Sequence, residues 1–281
     1  MIDKGTETPN EKSTPKYKDS LIKRLVQDDE VAREIANALL GKNYPKGSNV
    51  HALDIENNLT RYYGDAVINA EGEILVVIEQ QSTINNNMPL RILPQITDIL
   101  YAFFINRKEL YKYKLYKIPS VKFFVLYNRI RDWNPGKLKL SDAFKIPSEE
   151  ITLELIVNVI NINYENRDTI LEKSSTLKGY SYLVNLIRRY QEEGFTRDEA
   201  IKEAISRCID EGVLKEYLEK YFWEVADMLV FEYDEKVLHG EAMYEEGLEK
   251  GLEQGVEKII SLIKQGHTIE EAAILAKKKT E

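Results

Sequence analysis

Asp65 stands at the start of one apolar run, Glu79 near the end of the next, and Gln81 follows Glu79 by two residues. Residues two apart on a strand share a face, so Glu79 and Gln81 point the same way if 74–81 is extended. Residues 63–70 and 74–81 read as strands, separated by the turn signal Glu71-Gly72-Glu73. If those three residues form the connection, Ala70 pairs with Ile74, and counting back sets Asp65 opposite Glu79. A two-residue turn would put them on opposite faces. With the odd count, two carboxylates meet at one end of a hydrophobic strand pair, where repulsion and desolvation are both unfavourable unless a cation lies between them. Oxygen-only ligands with open positions suit Mg2+ or Mn2+, completed by water and a substrate phosphate. Such an ion acidifies water and neutralises charge developing on a phosphodiester, so the chemistry implied is phosphodiester hydrolysis. The plainer alternative is a pair of solvated carboxylates on the rim of a sheet.

Several elements must hold these residues. Residues 28–40 read as a helix, with Asp28 as N-cap, Val31, Ile35, Ala38 and Leu39 on one apolar face, and Gly41 as the stop. Residues 52–59 offer the first of three strands. The third, 74–81, is apolar on both faces, which predicts a central place in a sheet covered on both sides. Asn85 to Asn87 and Pro89 open an apolar helix running to about Asn106, with a kink expected at Pro94. Residues 121–127 form another two-faced strand, and 151–162 another strand or a short helix. The order helix, three strands, helix, strand defines an α/β core over residues 18–165. Residues 166–240 read as a helical domain, with helices at 181–190, at 197–211 behind the N-cap Thr196, and at 214–231.

Charge is distributed unevenly. The chain carries a formal net charge of −8, yet residues 1–165 hold 22 basic and 22 acidic side chains, while 166–281 hold 17 and 25. Between Ile105 and Lys145 eleven basic residues face only Glu109, Asp132 and Asp142, for a net charge of +8. Tyr111, Tyr113, Tyr116, Tyr127 and Trp133 are interleaved with them. Cations for phosphates and rings for sugars or bases suit a nucleic-acid surface, with Lys108, Lys112, Lys114, Lys117, Arg129, Arg131, Lys137 and Lys139 as its candidates. A solvated basic face whose aromatics are core is the competing account.

The run Tyr63-Gly64-Asp65, then Ile78-Glu79-Gln80-Gln81-Ser82-Thr83-Ile84-Asn85, then Asn87-Met88-Pro89-Leu90-Arg91 resembles the Rpn-type recombination-promoting nuclease and transposase-like family, a branch of the PD-(D/E)XK nuclease superfamily. The likeness extends from about Tyr17 through Asn134, then over Met228 to Asp234 and the C-terminal tail. It implies a Mg2+- or Mn2+-dependent endonuclease acting on DNA, in which Asp65 and Glu79 bind the metal and the backbone carbonyl of Gln80 adds a ligand. Gln81 occupies the place where much of the superfamily has lysine. It can orient water or a phosphate oxygen but carries no charge, so more stabilisation must come from the metal and a nearby cation, with Arg91 the candidate. The resemblance also implies an upstream helix carboxylate, for which Glu34 fits better than Glu30. Gln80 stands where relatives commonly show histidine, and Pro94 interrupts the helix that carries Arg91.

The remaining composition narrows the classes. With 43% hydrophobic and 31% charged residues, a wholly disordered chain and a membrane protein are both excluded. Residues 1–17 are polar and read as a flexible lead-in without the apolar stretch of a secretory signal, so a cytoplasmic protein is expected. One cysteine, Cys208, forms no internal disulfide, and His51, His239 and His267 offer no zinc-ligand spacing. In the tail, residues 241–281, Gly247, Gly251 and Gly255 repeat every four residues beside Leu248, Leu252 and Val256. Glycine weakens an isolated helix by about 1 kcal/mol per residue, so this stripe calls for a closely approaching partner, and homo-oligomerisation supplies one. A frayed, charged helix is the alternative. Thr268 and Glu271 form a capping-box signature for a last short helix. The rival to the enzyme is a DNA-binding or self-assembling scaffold that keeps the nuclease fold without its catalysis.

Overall fold

The first long helix begins where the Asp28 carboxylate accepts the Glu30 and Val31 amides at 2.8 and 3.4 Å, and stops at Gly41 with φ +63°. Both signals are those of its sequence. The computed structural model describes residues 20–55, 66–129, 133–146, 150–166 and 169–230, and in the tail residues 256, 258–265, 268 and 271. Helix α1 (Leu21–Leu25) is followed by α2 (Asp29–Leu40), β1 (Val50–Ala52), β2 (Ala66–Ala70), β3 (Ile74–Gln81), α3 (Met88–Ile99), β4 (Ser120–Tyr127), β5 (Lys137–Lys139) and β6 (Ile156–Asn161). Then come α4 (Thr169–Lys173), α5 (Ser175–Glu192), α6 (Arg197–Asp210) and α7 (Lys215–Lys220). The protein is mixed α/β.

The strands form one six-stranded sheet in the order β1-β2-β3-β4-β6-β5, with β3, β4 and β6 parallel and the others antiparallel to their neighbours. Its register is set at the β2–β3 turn. Glu71 and Gly72 both take left-handed backbone, φ +57° and +68°, and the Glu73 amide donates to the Ala70 carbonyl at 3.0 Å. The loop is therefore three residues, Ala70 pairs with Ile74, and the ladder runs on to Ala66↔Ile78. Asn49 braces the turn by donating to the Glu71 carboxylate at 2.9 Å.

Both faces of the sheet are covered, as the two-sided apolar character of β3 and β4 requires. Val76, Ile78, Phe124 and Leu126 pack against α2, α5 and α6, whereas Leu75, Val77, Phe123, Val125 and Tyr127 pack under α3. The α3 helix passes Pro94 unbroken and continues as a π-helical turn over Leu100–Phe104. Within residues 151–162 only Ile156–Asn161 form a strand, β6, and β5 is a strand that sequence alone does not announce.

The boundary expected near residue 165 does not divide the molecule. Helices α5 and α6 share one apolar cluster with the sheet, and the two compact units are Met1–Val230 and Phe231–Glu281. Packing here is tight. A Cβ on Gly179 would lie 2.9 Å from Leu214 Cγ and 3.1 Å from Val213 Cγ1, where Leu214 itself sits at φ +49°. Gly179→Ala should therefore cost about 1–2 kcal/mol in chemical denaturation, although alanine is the better helix former. An unchanged or raised midpoint would refute that close approach. Cys208 is wholly buried on α6, and burial, then the nearby Glu211 carboxylate, push its thiol up to about 12, so it is a packing residue rather than a nucleophile. Among the described residues no helix is long and apolar enough to cross a membrane.

In the second unit, the Thr268 amide donates to the Glu271 carboxylate at 2.9 Å and the Glu271 amide to Thr268 Oγ1 at 3.3 Å, the reciprocal pair that the sequence signature requires. Gly247, Gly251 and Gly255 lie outside the described residues.

Candidate active site

The carboxyl ends of β3, β4 and β6 converge at one edge of the sheet, and the connection leaving β3 goes to the α3 face while that leaving β6 goes to the α5 face. In open α/β sheets such a crevice is the usual ligand position. Glu79 lies there. Alternation along β3 turns it to the α3 face with Leu75 and Val77, and only 2% of it is exposed. A carboxylate at that burial is costly without compensation. Gln81 is half-buried on the same face, two residues nearer the edge.

Gln80 turns its side chain to the opposite face, and its backbone direction follows from the ladder. The Gln81 carbonyl accepts the Asn128 amide at 3.0 Å, and the Glu73 carbonyl accepts that of Ser120 at 2.8 Å, so odd-numbered residues of this stretch direct their backbone groups to β4. Even-numbered ones, Gln80 included, direct theirs to the β2 flank. Asp65 lies outside the described residues, one position before Ala66, whose partner is Ile78.

The other sequence candidates are scattered. Arg91 is exposed in the first turn of α3, its guanidinium 3.6 Å from the Met88 thioether, with no ion pair to a described residue. Glu34 has a different task from the one expected. Its carboxylate accepts Ser174 Oγ at 2.7 Å, Ser175 Oγ at 3.2 Å, the Thr176 amide at 2.9 Å and Thr176 Oγ1 at 3.1 Å. It thus anchors the N-terminus of α5, where the helix dipole favours a negative charge. Because α2 packs on the face opposite to that of Glu79, the structure does not bring Glu34 and Glu79 to one side of the sheet.

The basic stretch is also divided. Lys108, Lys112, Lys114 and Lys117 are exposed, with Tyr111 and Tyr113, in the loop that enters β4 at Ser120, beside Ile74. Seven strand steps, roughly 23 Å, separate Ile74 from the Gln81 end. Lys137 and Lys139 project from the edge strand β5. Arg131 lies outside the described residues. Arg129 alone of the described candidates stands at the carboxyl edge, its Nη1 3.4 Å from the Ser82 carbonyl.

Sequence reasoning missed Arg188, which reaches the same edge from α5 and donates to Asn128 and Asn163. The available signal was its place on the helix row Leu177, Ser181, Val184, Arg188, spaced four, three and four, where a cation interrupts an inward-facing stripe.

The donors near Glu79 are oxygens: its carboxylate, the Gln81 amide oxygen and the Gln80 carbonyl. That set fits a hard divalent ion and not zinc. Among the described residues no group of three or more His, Cys, Asp or Glu side chains could hold a metal, so the fit depends on Asp65. Comparison with protein-family models, curated proteins and solved structures finds no match to the chain.

Proposed function

We propose that this protein is a Mg2+- or Mn2+-dependent endodeoxyribonuclease on a PD-(D/E)XK-like core, cutting DNA in support of recombination or DNA mobility. The β2–β3 register carries the reading. An odd loop and a ladder extending to Ala66↔Ile78 favour Asp65 opposite Glu79, as a shared cation requires. The element order α2, β1, β2, β3, α3, β4 and the burial of Glu79 add support.

When bound, the ion supplies Lewis acidity toward water and phosphate. Asp65, Glu79 and the Gln80 carbonyl hold it, and Gln81 orients the attacking water or a phosphate oxygen. Arg129 supplies a cation at the same edge, and the lysines of the 108–117 loop supply a second, remote contact with the duplex.

A supercoiled plasmid incubated with Mg2+, with Mn2+ and with EDTA tests the reading. Nicking that needs the metal and is lost in Asp65→Ala and Glu79→Ala supports it. Retardation of DNA without cutting, unaffected by those changes, supports the scaffold instead. Gln81 in the lysine position and the attachment of Glu34 to α5 are the observations that favour that rival.

We also infer that the glycine-striped tail self-associates. Removing residues beyond Leu238 should lower the mass measured by light scattering to that of a single chain, and an unchanged mass would discard the idea.

A further inference from the structure

Arg188 is half-buried, yet among the described residues no carboxylate lies within ion-pair distance of it. Its Nη1 donates to Asn128 Oδ1 at 3.0 Å and Asn163 Oδ1 at 3.3 Å, and its Nη2 to the Asn128 carbonyl at 2.6 Å. A guanidinium has five N–H donors, so the Nε and one Nη2 hydrogen remain without an acceptor among these residues. Burial holds the guanidinium below its ordinary value; the like charge of Arg129 adds to this, while Tyr180, Tyr127 and the Glu192 carboxylate oppose it. It stays a cation at neutral pH all the same.

The surroundings continue the imbalance. Asn128 is 3% exposed, and since its Oδ1 accepts from Arg188, its Nδ2 is a buried donor with no acceptor among the described residues. Asn163, by contrast, is matched: its Oδ1 accepts from Arg188, and its Nδ2 donates to the Arg129 carbonyl at 2.6 Å and to Asn161 Oδ1 at 2.7 Å. Arg188 and Asn128 thus present donors without acceptors among the described residues beyond the ends of β4 and β6, with Arg129 nearby in sequence and charge and Glu192 acting in the opposite sense. A partly desolvated cation without an ion-pair partner is unfavourable unless something anionic joins it. Arginine is the side chain suited to a planar, two-point grip on phosphate.

We propose that Arg188, with Arg129, binds a backbone phosphate of DNA at the carboxyl edge of the parallel strands. The anionic character of the ligand follows from the cluster itself, while DNA as its carrier rests on the nuclease reading above. Arg188 thereby adds a phosphate contact at the strand ends to the remote one made by the 108–117 lysines.

The test is duplex binding by fluorescence anisotropy over a salt series, with Ca2+ in place of Mg2+ so that cleavage does not intervene. Arg188→Gln should reduce the slope of log K against log salt by about 0.9, one phosphate contact, and Arg188→Lys should largely retain it. Arg129→Gln, whose side chain is exposed, should also flatten the slope, and it decides the matter if Arg188→Gln does not fold. Slopes equal to the parental one in folded variants overturn the proposal, as does the absence of any duplex binding. A melting temperature raised by inorganic phosphate over chloride at equal ionic strength, in a protein that ignores DNA, assigns the cluster to a free phosphate and overturns it too. A flattened slope in a protein that never cuts sinks the nuclease reading alone. Metal-dependent cutting with an unchanged slope sinks only the Arg188 assignment.

Discussion

Glu79→Gln should lower metal-dependent plasmid nicking by more than about 100-fold while the protein remains folded. Changes to groups that merely orient a metal ligand already cost roughly 10–100-fold, so loss of a ligand charge should exceed that range. Glutamine keeps the shape of the side chain, which matters at a position 2% exposed beneath α3, and removing a buried charge relieves desolvation. Circular dichroism of the variant checks the fold, and initial nicking rates with and without EDTA check the chemistry. Asp65→Asn should behave the same way, because the proposal has the two carboxylates share one ion. Parental rates in both variants, or nicking that EDTA does not touch, would remove the metal from the account.

The second large effect concerns stability. Glu34→Ala should lower the melting temperature by about 4–8 °C, corresponding to roughly 2 kcal/mol. The carboxylate accepts one backbone amide and three hydroxyls at the start of α5, and hydrogen bonds to a charged group contribute about 1.5–3 kcal/mol where they are sheltered. Glu34 is only half-buried, which brings the expectation toward the lower end. Glu34→Gln retains an acceptor and should fall between the two. Thermal denaturation followed beside the plasmid assay separates anchoring from catalysis. A loss of nicking at an unchanged melting temperature would return Glu34 to the metal site, where the family resemblance puts it.

Local chemistry was legible in the sequence wherever a residue type decides a backbone state. Asp28 and Gly41 bound α2, Thr196 caps α6, and the three residues after Ala70 set the pairing of β2 with β3. Each depends on neighbours within four or five positions. What could not be read is what depends on strand direction. A count of charges from 105 to 145 cannot see that β4 separates the lysines at its beginning from Arg129 beyond its end. Nor does a helical pattern after residue 165 reveal that Arg188 returns to the strand ends, or that Glu34 meets residues 174–176. The edge strand β5 is three residues long, too short for alternation to register against its basic flanks.

The shared apolar cluster bears on any attempt to isolate the first 165 residues. A fragment ended at residue 165 would leave Val76, Ile78, Phe124 and Leu126 without α5 and α6, so an oily sheet surface would meet water and invite precipitation. Such a piece would also lack the guanidinium at position 188. The smallest excision that retains a sealed interior ends near Val230, and inactivity in anything shorter would report lost packing rather than lost chemistry.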